Sequence, residues 1–409
     1  AQITAVKTMN LQHPVELLDQ AISSETTPIT FERSRTSMEP TAYDGTVSYE
    51  LEAVAINTDT IGADIQLVDE SDAVKATLTI PANTTQATRL RTALTLNAGF
   101  ETYRLKIAGT TQSGQLQVYS SRIWVTQVAA SKTKLYIPLL SSANTPLSGD
   151  QFAPLESTLN TGYQVLSNSS IYLRDTSKLV KLQEYNAWEL EVVVSSNGGN
   201  GAVALYNTEN SAAVESAEIQ FSDPGVLLVN APFNEGVTLF SSAENLNHYR
   251  LAMQCFSNCD LGSVSIYRAG LWVNIESLAQ AEILIRNSQS IKNIAASTPT
   301  DTERSLIDLS KYSNPVVNFR AIGYMSSPTG ESANVSLMTN GAGGSADYGF
   351  WSLAAVSGSA LNFTSATPQL KQTASPLTIN SLDRFVPQID PLTGAANLIE
   401  SSIVIQASP

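Results

Sequence analysis

Apolar side chains recur at every second position in many short segments of this 409-residue chain. Residues 47–54 and 188–194 alternate in this way over their whole length. The same period is found at 65–67, 116–119 and 264–267. A period of two is typical of β-strands with one buried face. Helical periodicity is weak, with short candidates only at 14–20 and 276–282. The pattern therefore predicts an all-β chain.

An internal repeat divides these strands into copies. The triplet Tyr-Arg-Leu at 103–105, a hairpin and the segment 114–125 return as Tyr-Arg-Leu at 249–251, a hairpin and the segment 262–273. The two blocks agree at their apolar positions, and the second hairpin is two residues longer. A more divergent third copy is indicated by the closing segment 398–405, which resembles 118–125. Each copy is about the size of one sandwich domain.

The repeat predicts three tandem antiparallel β-sandwich domains at residues 1–133, 134–280 and 281–409. Strand-like segments at 134–139 and 282–286 connect them, without a Pro-rich or Gly/Ser-rich linker. Because such short apolar connectors are stiff, we expect a rod in which sandwich ends meet head to tail.

Three motifs carry a resemblance to known proteins. They are the Tyr-Asp-Gly turn at 43–45, the strand at 49–52 that follows it, and the closing Tyr-x-x-x-x-Trp strands at 119–124 and 267–272. Each copy resembles the jelly-roll sandwiches of bacterial extracellular carbohydrate-binding modules and surface proteins. The resemblance implies a jelly-roll fold, and members of that broad group bind glycans, build surface layers and filaments, or act as spacers.

The charge balance excludes some partners. Lys and Arg number 23 against 37 Asp and Glu, a formal net charge of -14. Because this excess repels phosphate groups, we expect no nucleic-acid partner and no docking on anionic membranes. No apolar run approaches the ~20 residues that span a bilayer. The chain begins with Ala1 rather than Met, so we expect an extracellular or cell-surface protein after signal-peptide removal; a cytoplasmic protein trimmed by an aminopeptidase is the alternative.

The two cysteines, Cys255 and Cys259, flank the hairpin that is longer in the second copy. Cysteines on either side of a hairpin turn lie close enough for a disulfide, which we predict. A redox or metal pair with His248 is the alternative, but a metal site usually needs three or four ligands. The only other imidazole is His13, and neither histidine lies in a nucleophile motif. We expect both to be surface or packing residues.

Carboxylates are the remaining catalytic candidates. Glu50 and Glu52 are two apart on one strand, as are Glu189 and Glu191, which places each pair about 6.5–7 Å apart. A retaining glycosidase uses a spacing of about 5–5.5 Å. Because exposed faces of antiparallel sheets routinely carry Glu, we interpret both pairs as solvated and expect no enzyme. A glycoside hydrolase or lyase stays open as an alternative.

Two other kinds of site are indicated. Asp69 and Asp72 form an acidic turn that is a weak candidate for a Ca²⁺ site, and a solvated hairpin turn is the favoured interpretation. No other cofactor is expected. Trp351 has no counterpart in the other copies and is the candidate for an exposed, glycan-contacting aromatic, whereas Trp124 and Trp272 alternate in phase with Ile and Val and are expected to be buried.

The function that these observations favour is structural. We predict a non-enzymatic extracellular or surface protein that self-assembles through β-sandwich contacts into a filament, sheath or surface layer, and hence a homo-oligomer or polymer. Ile3, Val6 and Met9 form the N-terminal segment that would pair with a neighbour's sheet edge. The alternative is a glycan-binding adhesin or an array of carbohydrate-binding modules.

Overall fold

The fold is that of a computed structural model. The structure describes residues 8–18, 21–23, 27–84, 86–108, 114–140, 154–166, 169, 171–173, 188–208, 211–233, 247–260, 262–275, 278, 281–288, 292–295, 300–301, 305–327, 330–342, 354–381 and 383–409.

Nine strands form the first pair of sheets. They are β1 (Met9–Leu18), β2 (Ala21–Ser23), β3 (Ile29–Met38), β4 (Thr46–Asn57), β5 (Ala63–Asp69), β6 (Val74–Ile80), β7 (Thr88–Leu94), β8 (Glu101–Ala108) and β9 (Leu116–Ala130). One sheet has the order β1-β9-β4-β7 with β2 beside β9, and the other has the order β3-β8-β5-β6. Apart from the hairpin of β5 and β6, neighbouring strands are not consecutive in sequence, which is the strand exchange of a jelly roll.

The second pair of sheets repeats this order with ten strands. They are β10 (Thr133–Pro138), β11 (Glu156–Thr158), β12 (Gln164–Val165), β13 (Ile171–Leu173), β14 (Trp188–Ser196), β15 (Asn200–Asn207), β16 (Ala212–Phe221), β17 (Leu227–Phe233), β18 (Asn247–Ser257) and β19 (Val264–Ile275). The sheet orders are β10-β19-β14-β17 and β12-β18-β15-β16, with β11 beside β19 and β13 beside β18.

The third pair of sheets follows the same order again. Its strands are β20 (Ala281–Ser288), β21 (Lys292–Ala295), β22 (Thr300–Asp301), β23 (Ser305–Leu306), β24 (Val316–Met325), β25 (Ser332–Ala342), β26 (Ala354–Ala355), β27 (Leu361–Phe363), β28 (Gln369–Gln372), β29 (Asp383–Thr393) and β30 (Ala395–Ala407). The sheet orders are β20-β30-β24-β28 and β22-β29-β25-β26. Two single-turn 3-10 helices, Pro40–Ala42 and Leu309–Lys311, are the helical elements of the described residues.

Alternation along the strands places the cores. In β4, Leu51, Ala53 and Ala55 belong to one apolar cluster with Ile65 and Leu105 of the facing sheet. Glu50 and Glu52 therefore project from the opposite face of the β1-β9-β4-β7 sheet. The all-β, jelly-roll prediction is confirmed by this repeated topology, and so is the resemblance to tandem jelly-roll proteins.

The Tyr-Asp-Gly turn ahead of β4 has a clear physical role. Gly45 has φ +73°, and a Cβ there would lie 2.3 Å from the carbonyl oxygen of Val128. Asp44 Oδ1 accepts the backbone N–H groups of Ser131 and Lys132 at 2.9 and 3.0 Å. The turn thus fixes the link between β9 and β10, where the first sheet pair gives way to the second.

The chain divides into two compact units, Pro14–Leu278 and Ala1–His13 together with Ala279–Pro409. The first unit contains the larger part of the first two sheet pairs. In the other unit, Asn10 donates its backbone N–H to Ser313 Oγ at 2.8 Å and accepts the Ser313 N–H at 2.9 Å. The predicted boundaries of three domains stay predictions.

The helical candidate at 14–20 was wrong where the structure describes it. Residues 14–18 are part of β1, which lies beside β9. A long neighbouring strand offers backbone partners along the whole segment, and this pairing outweighs a weak local preference. Of the second candidate, 281–282 begin β20, and most of the rest lies outside the described residues.

Candidate functional site: a buried carboxylate joining two sheet pairs

The first two sheet pairs meet face to edge. Within the Pro14–Leu278 unit, β3 contacts β14, β17 and β19, so an edge strand of the first pair lies on the outer face of the β10-β19-β14-β17 sheet. The expected head-to-tail contact between sandwich ends stays a prediction, and the contact seen for these two pairs is made by the last residues of β3 and by Glu39. The outward side chains of β14 and β19 include a buried acid, an indole and a guanidinium, which require partners.

Glu191 is the centre of this contact. Its side chain is fully buried, and it accepts hydrogen bonds from Thr36 Oγ1 at 3.0 Å, the Ser37 N–H at 3.0 Å and Ser37 Oγ at 2.5 Å. Trp272 on β19 donates its indole Nε1–H at 2.9 Å, and Arg268 lies 3.7 Å away. Donors from both sheet pairs thus converge on one carboxylate, which offsets the cost of removing its charge from water.

Arg268 extends the same network. Its guanidinium donates to the backbone carbonyl of Arg35 at 2.6 Å and to that of Glu16, so it bonds to the backbone of the first sheet pair twice. It also lies over the Tyr136 ring, 4.6 Å from the centroid. The ring occupies the space above Gly270, where a Cβ would lie 2.2 Å from it. Only glycine fits at position 270, because the Tyr136 ring approaches the backbone so closely.

A second ion pair lies beside the first. Lys134 Nζ contacts both carboxylate oxygens of Glu189 at 2.9 and 3.0 Å, and Glu39 of the first sheet pair at 3.3 Å. It also lies 5.4 Å from the centroid of the Trp272 ring. Glu189 and Glu191 therefore both belong to the contact between the first two sheet pairs, called the junction from here on, and do not lie on a solvated face.

The first copy has its own buried acid at the equivalent strand position. Glu52 on β4 accepts from Arg89 Nε at 2.6 Å and Arg91 Nε at 2.5 Å. Burial raises its pKa, but Arg89, Arg91 and Arg122 outweigh burial and hold the pKa below the usual range. The prediction that these glutamates are solvated was thus wrong for Glu52 and Glu191. Alternation along a strand shows which way a side chain points, but it does not show whether water or another part of the protein lies there.

The third copy reverses the charges. Arg320 on β24 lies opposite Ser402 on β30, at the register position where Glu191 lies opposite Gly270 in the second copy. Glu400 lies two residues before Ser402, just as Arg268 lies two residues before Gly270. Glu400 contacts Arg286 at 3.0 Å and Arg320 at 3.1 Å. Burial raises its pKa, but the two arginines prevail and lower it to about 2. An acid–arginine pair therefore bridges the same two strands in both copies with opposite polarity.

Glu191 is suited to holding two surfaces together, and Glu52 and Glu400 to joining strands of one sheet. A nucleophile or general base needs a free oxygen directed at a substrate, whereas both oxygens of Glu191 and both of Glu400 are engaged. Among the described residues, no group of three or more His, Cys, Asp or Glu side chains is arranged to hold a metal ion.

The predicted disulfide is present. Cys255, in β18, and Cys259 are joined with their Cα atoms 5.8 Å apart, across the turn that leads to β19.

His13 is a packing residue: it is buried, and burial lowers its pKa to about 3. His248 lies on β18, paired with Tyr172. Trp124 and Trp272 are buried as expected, and Trp272 lies at the junction.

The acidic turn is held by its own partners. Asp69 Oδ1 accepts from Ser71 and Ala73, and Oδ2 pairs with Lys75 at 2.9 Å. Asp72 pairs with two further cations, Arg104 at 3.1 Å and Lys106 at 3.3 Å. A Ca²⁺ ion at Asp69 and Asp72 would have to displace these groups, and the site stays a prediction.

The predicted assembly and glycan residues fall mostly beyond what the structure describes. Ile3, Val6 and Trp351 lie outside the described residues. Met9 begins β1 with its side chain buried, so it is used within its own chain.

The junction residues that sequence reasoning missed are Arg268, Ser37 and Thr36. A charged residue between apolar neighbours on a strand, as Arg268 is between Tyr267 and Ala269, was the available signal. Nothing in the sequence pairs it with β3.

No family model matches the chain, and no curated protein matches it. Similar solved structures include the crystal structure of the T13 particle of infectious bursal disease virus, with 9% identity, coverage of 89% of this chain and 70% of that chain, and a TM-score of 0.23. A tandem of CBM22 domains from Paenibacillus barcinonensis Xyn10C has 9% identity over 67% of this chain and 100% of that chain, with a TM-score of 0.18. A triple jelly-roll protein of an archaeal virus has 11% identity over 98% and 90% of the two chains, with a TM-score of 0.17.

The jelly-roll assignment rests on the strand order. Jelly rolls serve both as structural subunits and as carbohydrate-binding domains. In the described residues, no helix is both long and apolar enough to cross a bilayer.

Proposed function

We propose that this chain is a non-enzymatic structural protein of an extracellular or surface assembly. It self-assembles through contacts between β-sandwiches into a filament, sheath or surface layer, and its principal partner is another copy of itself.

The observation that carries it is the face-to-edge contact centred on Glu191. The contact joins two different surfaces, the outer face of one sheet and the edge strand β3 of another pair. A contact of this heterologous kind, repeated between chains, leaves one surface of each type free and so closes into a ring or propagates. Jelly-roll copies with this type of contact have the properties of an assembly module.

The absence of enzymatic activity is part of the proposal. The carboxylates weighed as glycosidase catalysts are engaged: Glu52 by Arg89 and Arg91, and Glu191 by donors from two sheet pairs. The Cys255–Cys259 disulfide supports the extracellular location, because such bonds persist in oxidising compartments.

Electron microscopy and sedimentation velocity of the purified native chain test the proposal. We expect rings, filaments or sheets, and a sedimentation coefficient that rises with protein concentration. A chain that stays monomeric at every concentration and shows no ordered particles would exclude a self-assembling scaffold.

A deletion sharpens this experiment. Removal of residues 1–7 leaves Met9 and the hydrogen bonds between Asn10 and Ser313 in place, so the fold should persist. If Ile3 and Val6 pair with a neighbour's edge, the truncated chain loses assembly while its unfolding midpoint is unchanged. Assembly without these residues would remove the N-terminal segment from the contact and leave the scaffold proposal standing.

A further inference from the structure

Three side chains of different chemistry meet on neighbouring strands of the β10-β19-β14-β17 sheet. Lys134 on β10 lies directly opposite Asn274 on β19. On the other side of β19, Glu189 of β14 lies opposite Trp272, two residues before Asn274. Directly opposite residues of an antiparallel pair have their Cβ atoms about 4.5–5.5 Å apart on one face of the sheet. The backbone register therefore brings an amine, a carboxamide and a carboxylate together.

The functional groups of these side chains converge on one oxygen. Glu189 Oε1 accepts from Lys134 Nζ at 2.9 Å and from Asn274 Nδ2 at 3.2 Å. Glu189 Oε2 accepts from the same amine at 3.0 Å. The carboxylate therefore holds the lysine amine beside the carboxamide, whose carbonyl carbon is bonded to Nδ2. An ion pair needs only Lys134 and Glu189; the carboxamide on the same oxygen adds an electrophile.

The surroundings shield the amine from water. The Lys134 side chain is 4% exposed and that of Glu189 is 17% exposed. The ring of Trp272 has its centroid 5.4 Å from Nζ, and the Tyr136 ring packs against it with the two centroids 4.9 Å apart. An amine that is held beside a carbonyl group and shielded from bulk water reacts far faster than it does in solution, because the approach of the two groups is no longer bimolecular.

A condensation of the two side chains can be written without any further reagent. The Lys134 ammonium passes a proton to Glu189, which leaves a neutral amine with a free electron pair. The amine nitrogen attacks Cγ of Asn274 and forms a new C–N bond, and Glu189 passes its proton to Nδ2 and accepts one from the attacking nitrogen. The old C–N bond then breaks and ammonia leaves with the proton that Glu189 holds. The products are an amide, an ammonium ion and the original carboxylate, and nothing is oxidised or reduced.

We infer that Lys134 and Asn274 are joined in the folded chain by an isopeptide bond, formed autocatalytically with Glu189 as the proton carrier. The bond ties β10 covalently to β19 at the junction. Because it closes the chain between residues 134 and 274 into a loop, it restricts the unfolded state as a disulfide does. It forms within one chain, so the inference does not rest on the proposed self-assembly.

The other two copies have different groups at these positions. In the third copy, Glu282 lies opposite Gln406 at the register where Lys134 lies opposite Asn274. Gln406 Nε2 donates to Glu282 Oε1 at 2.6 Å, so a carboxylate and a carboxamide meet there without a lysine at either position. In the first copy, Thr126 takes the position of Asn274. The bond is therefore expected in the second copy, and the third copy supplies a matched control.

Mass spectrometry of the purified chain tests the inference. After denaturation and reduction, the intact chain should be lighter than its fully reduced sequence by one ammonia. Trypsin does not cut after an acylated lysine, so digestion should release residues 133–174 and 269–286 as one branched peptide. A succinimide at an asparagine also loses ammonia, and the branched peptide distinguishes the isopeptide bond from that product.

Three variants separate the roles of the groups. Lys134→Arg keeps the positive charge but removes the amine nucleophile, and it should have the full mass of its sequence. Glu189→Gln removes the proton carrier, and its cross-linked fraction after the same time should be at least about tenfold smaller. Glu282→Gln changes the corresponding carboxylate of the third copy and should leave the branched peptide in place.

The native chain decides the outcome without any variant. If the folded native chain has the full mass of its sequence and gives no branched peptide, the inference is overturned. If Glu189→Gln is folded by circular dichroism and is still fully cross-linked, the assignment of Glu189 as proton carrier is overturned.

Discussion

Ser37 donates both its hydroxyl and its backbone N–H to Oε2 of Glu191, a residue 154 positions further along the chain. A backbone N–H has a fixed direction, so this pair of bonds sets how β3 lies on β14. The hydroxyl of Ser37 also accepts from Asn230 Nδ2 at 2.9 Å, which extends the contact to β17. Two sheet pairs are thus joined in one defined position by a few side chains.

Replacing Glu191 by Ala should lower the free energy of unfolding by about 3–5 kcal/mol, because it leaves the Ser37 N–H, the Trp272 indole and Arg268 without their acceptor. Denaturant unfolding followed by tryptophan fluorescence measures this, since Trp272 lies at the junction. Glu50→Ala is the control: Glu50 is 38% exposed and 3.7 Å from Arg91, so its loss should cost less than about 1 kcal/mol. Equal effects of the two variants would contradict the assignment.

Reversing the charges as the third copy does should not restore stability to the second. The double variant Glu191→Arg, Arg268→Glu keeps an acid and an arginine on the same two strands, but it directs a guanidinium at the Ser37 N–H and the Trp272 Nε1–H. Both groups only donate, so we expect the double variant to remain at least about 3 kcal/mol below the native chain. Recovery to within about 1 kcal/mol would mean that the ion pair alone, and not the donors of β3, determines the polarity.

Gly270→Ala should destabilise the junction by about 1–3 kcal/mol, because the added Cβ would lie 2.2 Å from the Tyr136 ring. Displacing that ring also weakens its contact with Arg268. Gly225→Ala is the matched control, since nothing lies within 4 Å of a Cβ there. The midpoints of thermal unfolding of the two variants test this prediction. Equal midpoints would show that the Tyr136 ring can move aside without loss of stability.

Mass spectrometry of the native chain should find no free thiol. The double variant Cys255→Ser, Cys259→Ser should lose about 2 kcal/mol, a small effect because the bond closes only a short loop. Its unfolding should be insensitive to reductant, whereas the unfolding midpoint of the native chain should fall when reductant is added. Two free thiols in the purified protein would disprove the pairing.

Acid should weaken the fold below neutral pH through His13. Burial lowers its pKa from 6.5 to about 3 in the folded chain, so below pH 6.5 the unfolded chain binds a proton that the folded chain does not. Stability is complete above pH 6.5 and falls as the pH drops, by about 2 kcal/mol between pH 7 and pH 5. His13→Gln should flatten this dependence in unfolding measured at pH 7, 6 and 5.

A second acid-dependent loss follows at lower pH. The pKa of Glu400 lies at about 2 against 4.5 ordinarily, so its contribution is present above pH 4.5 and disappears as the pH falls towards 2. His13→Gln should leave this lower transition unchanged. An unaltered pH dependence between 7 and 5 in that variant would show that other groups are responsible.

The strands and their repetition could be anticipated because their signals are local or repeated. The alternation at 188–194 marks a half-buried strand, and the returning blocks at 114–125 and 262–273 occupy the same place in successive sheet pairs, as β9 and β19. The disulfide was predictable for the same reason, since Cys255 and Cys259 are near each other in sequence. The boundary between strand and helix at 14–18 was not, because the partner strand β9 lies about a hundred residues away.

The junction could not be anticipated from these signals. The alternation along β4 and β14 indicates that the side chains of Glu52 and Glu191 point away from the core of their own sheet pair. It does not indicate whether water or another protein surface lies on that side. Only the position of β3 shows that Glu191 is buried, and only the register of β24 with β30 shows that Arg320 and Glu400 repeat the pair with opposite charges.

The sequence by itself determined the strand content, the repeat and the cysteine pair, because backbone period and short-range spacing are properties of neighbouring residues. The tertiary structure decided which polar side chains are buried and what they hold together. The burial of Glu191 depends on donors from β3, more than 150 residues away, whose positions exist only once both sheet pairs have folded.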